Sequence, residues 1–106
     1  MTSKWRRYEV PLPLQFNDGR DVPSDWMAKA VLEVVDCFGA ASYESQQVEG
    51  HSRYQAVLYR DNLVRIVVDV PDATANRLWM KEFKARWKTK LDQLELWMVS
   101  YRIDVE

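Results

Sequence analysis

The 106-residue sequence has one cysteine, one histidine and three glycines. A lone Cys37 forms no internal disulfide and gives no metal-ligand pattern. A lone His51 cannot build an imidazole cluster, so no metal and no cofactor is expected. No apolar run approaches the roughly 18 residues that cross a bilayer. The start, MTSKWRRYEV, is basic but leads into no apolar stretch, so no signal peptide is expected. These gaps point to a cytoplasmic protein without membrane attachment. Surplus charge is missing too. Fifteen Lys and Arg face sixteen Asp and Glu, a formal net charge of −1, so any basic surface has to be local. Repeats, low-complexity tracts and linkers are absent, as are the G-x-G-x-x-G, P-loop and G-x-S-x-G motifs.

What is present suits one globular domain spanning 1–106: 47% hydrophobic residues, 29% charged residues and five tryptophans. Residues 5–16, WRRYEVPLPLQF, alternate with period two. Tyr8, Val10, Leu12, Leu14 and Phe16 fall on one side, and Glu9, Pro11, Pro13 and Gln15 on the other. That is a strand with one buried face, although its two prolines remove amides from a single hydrogen-bonding edge. NDGRDVPSD supplies turn chemistry. DWMAKAVLEVVDCF, 25–38, is helical, with Met27, Ala30, Val31, Val34, Val35 and Phe38 recurring at three and four. Ser24 is the expected N-cap and Gly39 the left-handed stop.

SYESQQVEG and RYQAVLYRDNLVRIVVDV read as strands. The favoured reading is a hairpin turning near 52–55, with a long second strand bent at 60–62. Asp61-Asn62 as a turn, making a three-strand meander, is the alternative. A second helix covers 73–93 with Asp72 as its cap. Its Trp79, Met80, Phe83, Trp87 and Leu91 share an arc of about 120°. The closing LELWMVSYRIDVE returns to period two, with Trp97, Val99, Tyr101, Ile103 and Val105 on the expected core face. The order β-α-β-β-α-β gives an α+β, ferredoxin-like sandwich: a four-stranded antiparallel sheet with two helices on one face.

Two helices cover only one side of such a sheet. Leu63 and Val67 fall on the uncovered side of their strand, and Leu96 and Met98 opposite the Trp97 series. These four form a candidate interface for a homo-oligomer, most simply a dimer. The second candidate is a basic ridge on the second helix. Arg77, Lys81, Lys84 and Lys88 stand at 4-3-4 spacing, and could hold nucleic acid or an acidic protein. The third is a ligand site or small active site near the strand 2–3 hairpin, around His51 and Arg53. Cys37 lies at a helix C-terminus, the wrong end for a stabilised thiolate, and no carboxylate pair has catalytic spacing. The residues therefore lean toward association rather than catalysis.

The motif order EVPLPLQFNDG, FGAAS, GHS, YRDNLVRIVVDVPD and QLELW resembles a family of small uncharacterised bacterial proteins. Its pattern runs V-P-L, F-G-G-x-T, G-x-W, Y-x-D…V-D-V-P-D and Q-x-E-x-W. The resemblance covers most of the chain and implies an α+β sandwich without any transferable activity. Ala40 stands for the second glycine of the pattern, Ser42 for its threonine, and Ser52 for its tryptophan.

Overall fold

A computed structural model describes the backbone of residues 4–52 and 57–106 and the side chains of 4–45 and 62–106. The elements are β1 (Trp5–Pro13), α1 (Ser24–Phe38), β2 (Ser42–Ser52), β3 (Val57–Pro71), α2 (Thr74–Lys90) and β4 (Val99–Ile103). They build the expected ferredoxin-like sandwich, an antiparallel sheet in the order β2-β3-β1-β4. Both helices pack on one face. Met27, Ala30 and Val34 of α1 and Met80, Phe83 and Trp87 of α2 share a core with Tyr8, Val10 and Leu12 of β1 and with Val64, Ile66, Val68 and Val70 of β3.

The prolines sit in the central strand without breaking it. The Leu14 amide donates to the Asn62 carbonyl, in line with Leu12 opposite Val64. By the alternation of an antiparallel ladder, the even residues of β1 bond to β3 and the odd ones face β4. Yet β4 pairs with β1 only from Trp5 to Glu9. Pro11 and Pro13 lie past its end, so their missing amides cost the ladder nothing.

Several local expectations need correction. β3 runs unbroken through Asp61 and Asn62, opposite Val48 and Gln47 in consecutive register, which excludes the meander. Gly39 stops α1 at φ 88°, as expected, but the N-cap position belongs to Pro23, and Ser24 is already helical. Asp72 does not cap α2. Its carboxylate accepts from Arg6 Nε at 3.0 Å and Arg102 Nε at 3.1 Å, and two guanidinium donors outbid the helix amides for it. α2 ends at Lys90, and Leu91 enters the core beyond it.

The faces of β4 are reversed relative to the apolar periodicity. Leu96 is buried at 3% exposure and Met98 packs against the core, whereas Trp97, Val99 and Tyr101 are 77%, 37% and 43% exposed. The register explains this. Arg102 stands opposite Arg6 and Ser100 opposite Tyr8, so the even residues of β4 share the helix-covered side. There Arg102 reaches Asp72, and Arg6 Nη1 donates to Ser100 Oγ at 3.2 Å. The ion pair fixes the parity of a strand too short to be ruled by hydrophobic burial.

The Asp72 clamp ties β1, β4 and the entry to α2, and the two arginines hold its carboxyl pKa below the usual 3.8. A group whose pKa is lower folded than unfolded stabilises the fold at higher pH. That stabilisation is lost as pH falls through 3.8 toward the depressed value. Thermal unfolding followed against pH should show Asp72→Asn less stable than the native chain at neutral pH, with the difference closing in acid. A difference unchanged by acid would remove the clamp from the account.

Candidate functional site

The uncovered face of the sheet carries the odd residues of β1 and β3, with Val99, Tyr101 and Ile103 of β4. Reading across the register, Asp69 stands beside Arg7 and Arg7 beside Tyr101. The next row is Ser42, Val67, Glu9 and Val99, and the next is Glu44, Arg65 and Pro11. Arg7 meets Asp69 through two bonds, Nε to Oδ1 at 2.7 Å and Nη2 to Oδ2 at 2.9 Å. This fork-to-fork geometry is the strong form of such a pair. Asp69, followed by Tyr101, raises the Arg7 pKa above its ordinary value. Arg65 Nη1 lies 3.6 Å from Glu44 and 4.0 Å from Glu9. The centre of the face is thus a lattice of paired charges, two guanidinium groups among three carboxylates, bordered by Trp5, Leu63, Val67, Val99, Tyr101 and Ile103.

Where α1 hands over to β2, this face deepens into a concavity of about 650 Å³. Its wall includes Arg7, Glu9, Ser42, Tyr43, Glu44 and Asp69. Tyr43 pairs with Ile66 and so turns its exposed ring to the helix-covered side, near Met27, Val31 and Leu32 of α1. Among the described residues no cluster of three or more His, Cys, Asp or Glu could hold a metal ion. No helix is long and apolar enough to cross a membrane.

The residues singled out by sequence divide. Leu63 and Val67 lie half-buried on the uncovered face. Leu96 belongs to the core and Met98 packs beneath it, so these two do not share a surface with Leu63 and Val67. On α2, Arg77 and Lys81 are exposed and Lys88 is half-buried, but Lys84 is engaged by Glu95 at 2.8 Å. Glu95 comes from the irregular segment between α2 and β4, a partner no helical spacing could disclose. Arg86, elsewhere on the same helix, pairs with Glu33 of α1 at 3.7 Å. His51 lies within β2, opposite Leu58, and its side chain lies outside the described residues, as does the whole of Arg53. Cys37 is free and exposed near the end of α1, with partial desolvation raising its thiol pKa.

Arg7, Glu9, Arg65 and Asp69 were missed. A signal for them exists: Arg65 and Asp69 interleave with Leu63 and Val67 on one parity of β3, and Arg7 and Glu9 share a parity on β1. Only the register turns these into pairs.

No family model matches the sequence, and no curated protein matches it in sequence. Solved structures do resemble it in fold. A phage SAM lyase in complex with S-methyl-5'-thioadenosine superposes with a TM-score of 0.70 at 12% identity, covering 100% of this chain and 94% of the other. A phage SAM lyase in the apo state gives 0.64 at 13% identity, with 100% of this chain and 94% of the other covered. A Bacillus cereus protein related to NIF3 gives 0.61 at 13% identity, covering 99% of this chain but 27% of its own. At these identities the likeness is one of fold.

Proposed function

We infer that the protein is a self-associating module whose uncovered sheet face is the contact surface, with a second copy of the chain as its occupant. The observation that carries this reading is the charge balance of that face. Arg7 pairs with Asp69, and Arg65 with Glu9 and Glu44, within the same face, two cations against three carboxylates. Such a surface meets an identical surface with little net repulsion, and its apolar border of Val67, Val99, Tyr101 and Ile103 supplies the driving force.

Two further features support it. The chain exposes 7579 Å², against roughly 6,200 Å² for a compact monomer of its mass. The β2–β3 ladder also continues past the end of β1, from Gln47 opposite Asn62 to Ser52 opposite Val57. A two-stranded arm of this kind is marginal in water by itself and gains stability when laid against a neighbour. Sedimentation of the native chain over a wide concentration range should show a dimer or larger closed assembly. A monomer at the highest concentration would reject the reading.

A second reading concerns the concavity. A protein of this fold binds S-methyl-5'-thioadenosine, and the hollow lined by Arg7, Glu9, Ser42, Glu44 and Asp69 offers carboxylates and a guanidinium to the polar groups of such a nucleoside. On this reading the hollow takes a nucleoside thioether or its sulfonium parent. Titration with S-methyl-5'-thioadenosine should then perturb Tyr43 and Ser42 in a two-dimensional amide spectrum. Perturbations elsewhere, or none, would dismiss it.

A further inference from the structure

The cleft past the end of β4 has an unusual chemistry: among the residues that line it, Glu95 alone is charged, and none is a lysine or arginine. Pro11 and Pro13 face this cleft from the β4 side of β1, and neither has an amide to donate. Among the described residues, no donor reaches either proline's carbonyl. A backbone carbonyl left without a protein partner needs one from elsewhere. Of the four side-chain amides of the rim, those of Gln15, Asn17 and Gln93 are engaged, while that of Asn62 donates to no described residue. Gln93 Nε2 donates to Asn17 Oδ1 at 3.2 Å and to the Leu91 carbonyl at 3.1 Å. Asn17 Nδ2 donates to the Asp92 carbonyl at 3.1 Å, and Gln15 Nε2 to Asp21 Oδ1 at 3.2 Å.

Two further groups complete the cleft, whose volume is about 490 Å³. Glu95 uses one oxygen, Oε1, for both Lys84 and the Leu96 amide, and its Oε2 accepts from no described residue. Trp97, 77% exposed, presents an indole over which no described cation lies; the cations that do cover rings sit on Phe16, Trp26 and Trp87.

A surface of carbonyls, a carboxylate oxygen and an open indole discriminates by chemistry. A phosphate or carboxylate would lie against Glu95, with no lysine or arginine among the residues that line the cleft to receive it. An added peptide strand needs donors as well as acceptors, and the prolines supply only half of that ladder. An ammonium or guanidinium group needs acceptors alone and is drawn to an indole face. We propose that this cleft binds a small organic cation bearing an ammonium or guanidinium group, held by the Pro11 and Pro13 carbonyls, Glu95 Oε2 and the Trp97 ring. The proposal does not rest on the concavity between α1 and β2 or on self-association, but Pro11 and Leu63 line the cleft and also belong to the uncovered face, so the titration is made at a concentration where sedimentation shows one species.

The test is a titration of the full-length protein with agmatine, which carries both cationic groups and no anion, read by calorimetry and by the Trp97 indole resonance. Glutarate, a dianion of similar length, is the control. Agmatine is expected to bind and shift that resonance, and glutarate to do neither. Trp97→Ala should weaken agmatine about threefold. Because the side chain is exposed, its thermal midpoint should match that of the native protein. Lys84→Gln, which releases Glu95 from its internal partner, should tighten binding. Equal binding of glutarate, no response at Trp97, or an affinity unchanged in both variants would overturn the proposal.

Discussion

Replacing Trp87 with alanine should cost about 3–5 kcal/mol of stability, a large fraction of the roughly 5–15 kcal/mol that holds a domain folded. Three roles converge on this side chain. It is 2% exposed in the core. Its ring packs edge-on to Trp26 at 6.5 Å and tilted against Phe83 at 6.3 Å. Its Nε1 donates to Glu33 Oε2 at 2.9 Å, joining α2 to α1. Alanine leaves a cavity and removes an interhelical bond together, while Lys90, whose Nζ lies 4.6 Å from the centres of both the Trp26 and Trp87 rings, loses one of its two aromatic neighbours. Trp87→Phe separates the terms. It keeps most of the packing and removes the indole donor, so about 1–2 kcal/mol should be lost. Urea unfolding of the three proteins measures both steps. A loss below about 1 kcal/mol for the alanine variant would mean that the core closes around the gap.

Trp87 was legible in the sequence because a long helix buries enough side chains for periodicity to dominate. The same holds for the even residues of β1 and β3 and for both helices, and these fix the order of elements and the helix-covered face. Legibility failed where a few polar contacts outweigh apolar pattern. Asp72 reads as a cap by position, yet Arg6 and Arg102 claim it. Those partners are sixty-six and thirty residues away, and no local rule reaches that far. The same contact sets the parity of β4. A five-residue strand at the sheet margin has little area to bury, so alternation alone chose the wrong face and counted Leu96 as surface.

The candidate site was half legible for a related reason. Leu63 and Val67 were assigned to the uncovered face by alternation, and that assignment depends only on β3. The charges between them gain meaning only when β1 and β2 are set alongside, because Arg65 finds Glu9 and Glu44 on two different strands. The basic ridge of α2 shows the converse. Its spacing is real, but Glu95 arrives from a segment read as strand and engages Lys84. A ridge of four free cations becomes a ridge with an occupied centre, and this lowers its appeal as a polyanion track.

Val99→Lys should raise the dissociation constant of the self-associated form by about a hundredfold, equivalent to roughly 2.7 kcal/mol, while leaving the fold intact. The position was chosen for this separation. Val99 stands opposite Glu9 in the β1–β4 register, so a lysine there forms an opposite-charge cross-strand pair worth about 0.2–1 kcal/mol to the monomer. An aspartate would face Glu9 as a like charge and confuse loss of association with loss of fold. On the contact surface the effect of lysine is the opposite. The native face is close to charge-balanced, and each copy now adds a cation that must lose water when two faces meet, at several kcal/mol per ion. High salt should recover part of the association by screening. Val99→Thr, nearly the same shape without the charge, should associate far better than the lysine variant. Sedimentation at matched concentrations, with thermal unfolding as the check on folding, decides the matter. If the lysine variant assembles like the native chain, the contact lies on another surface.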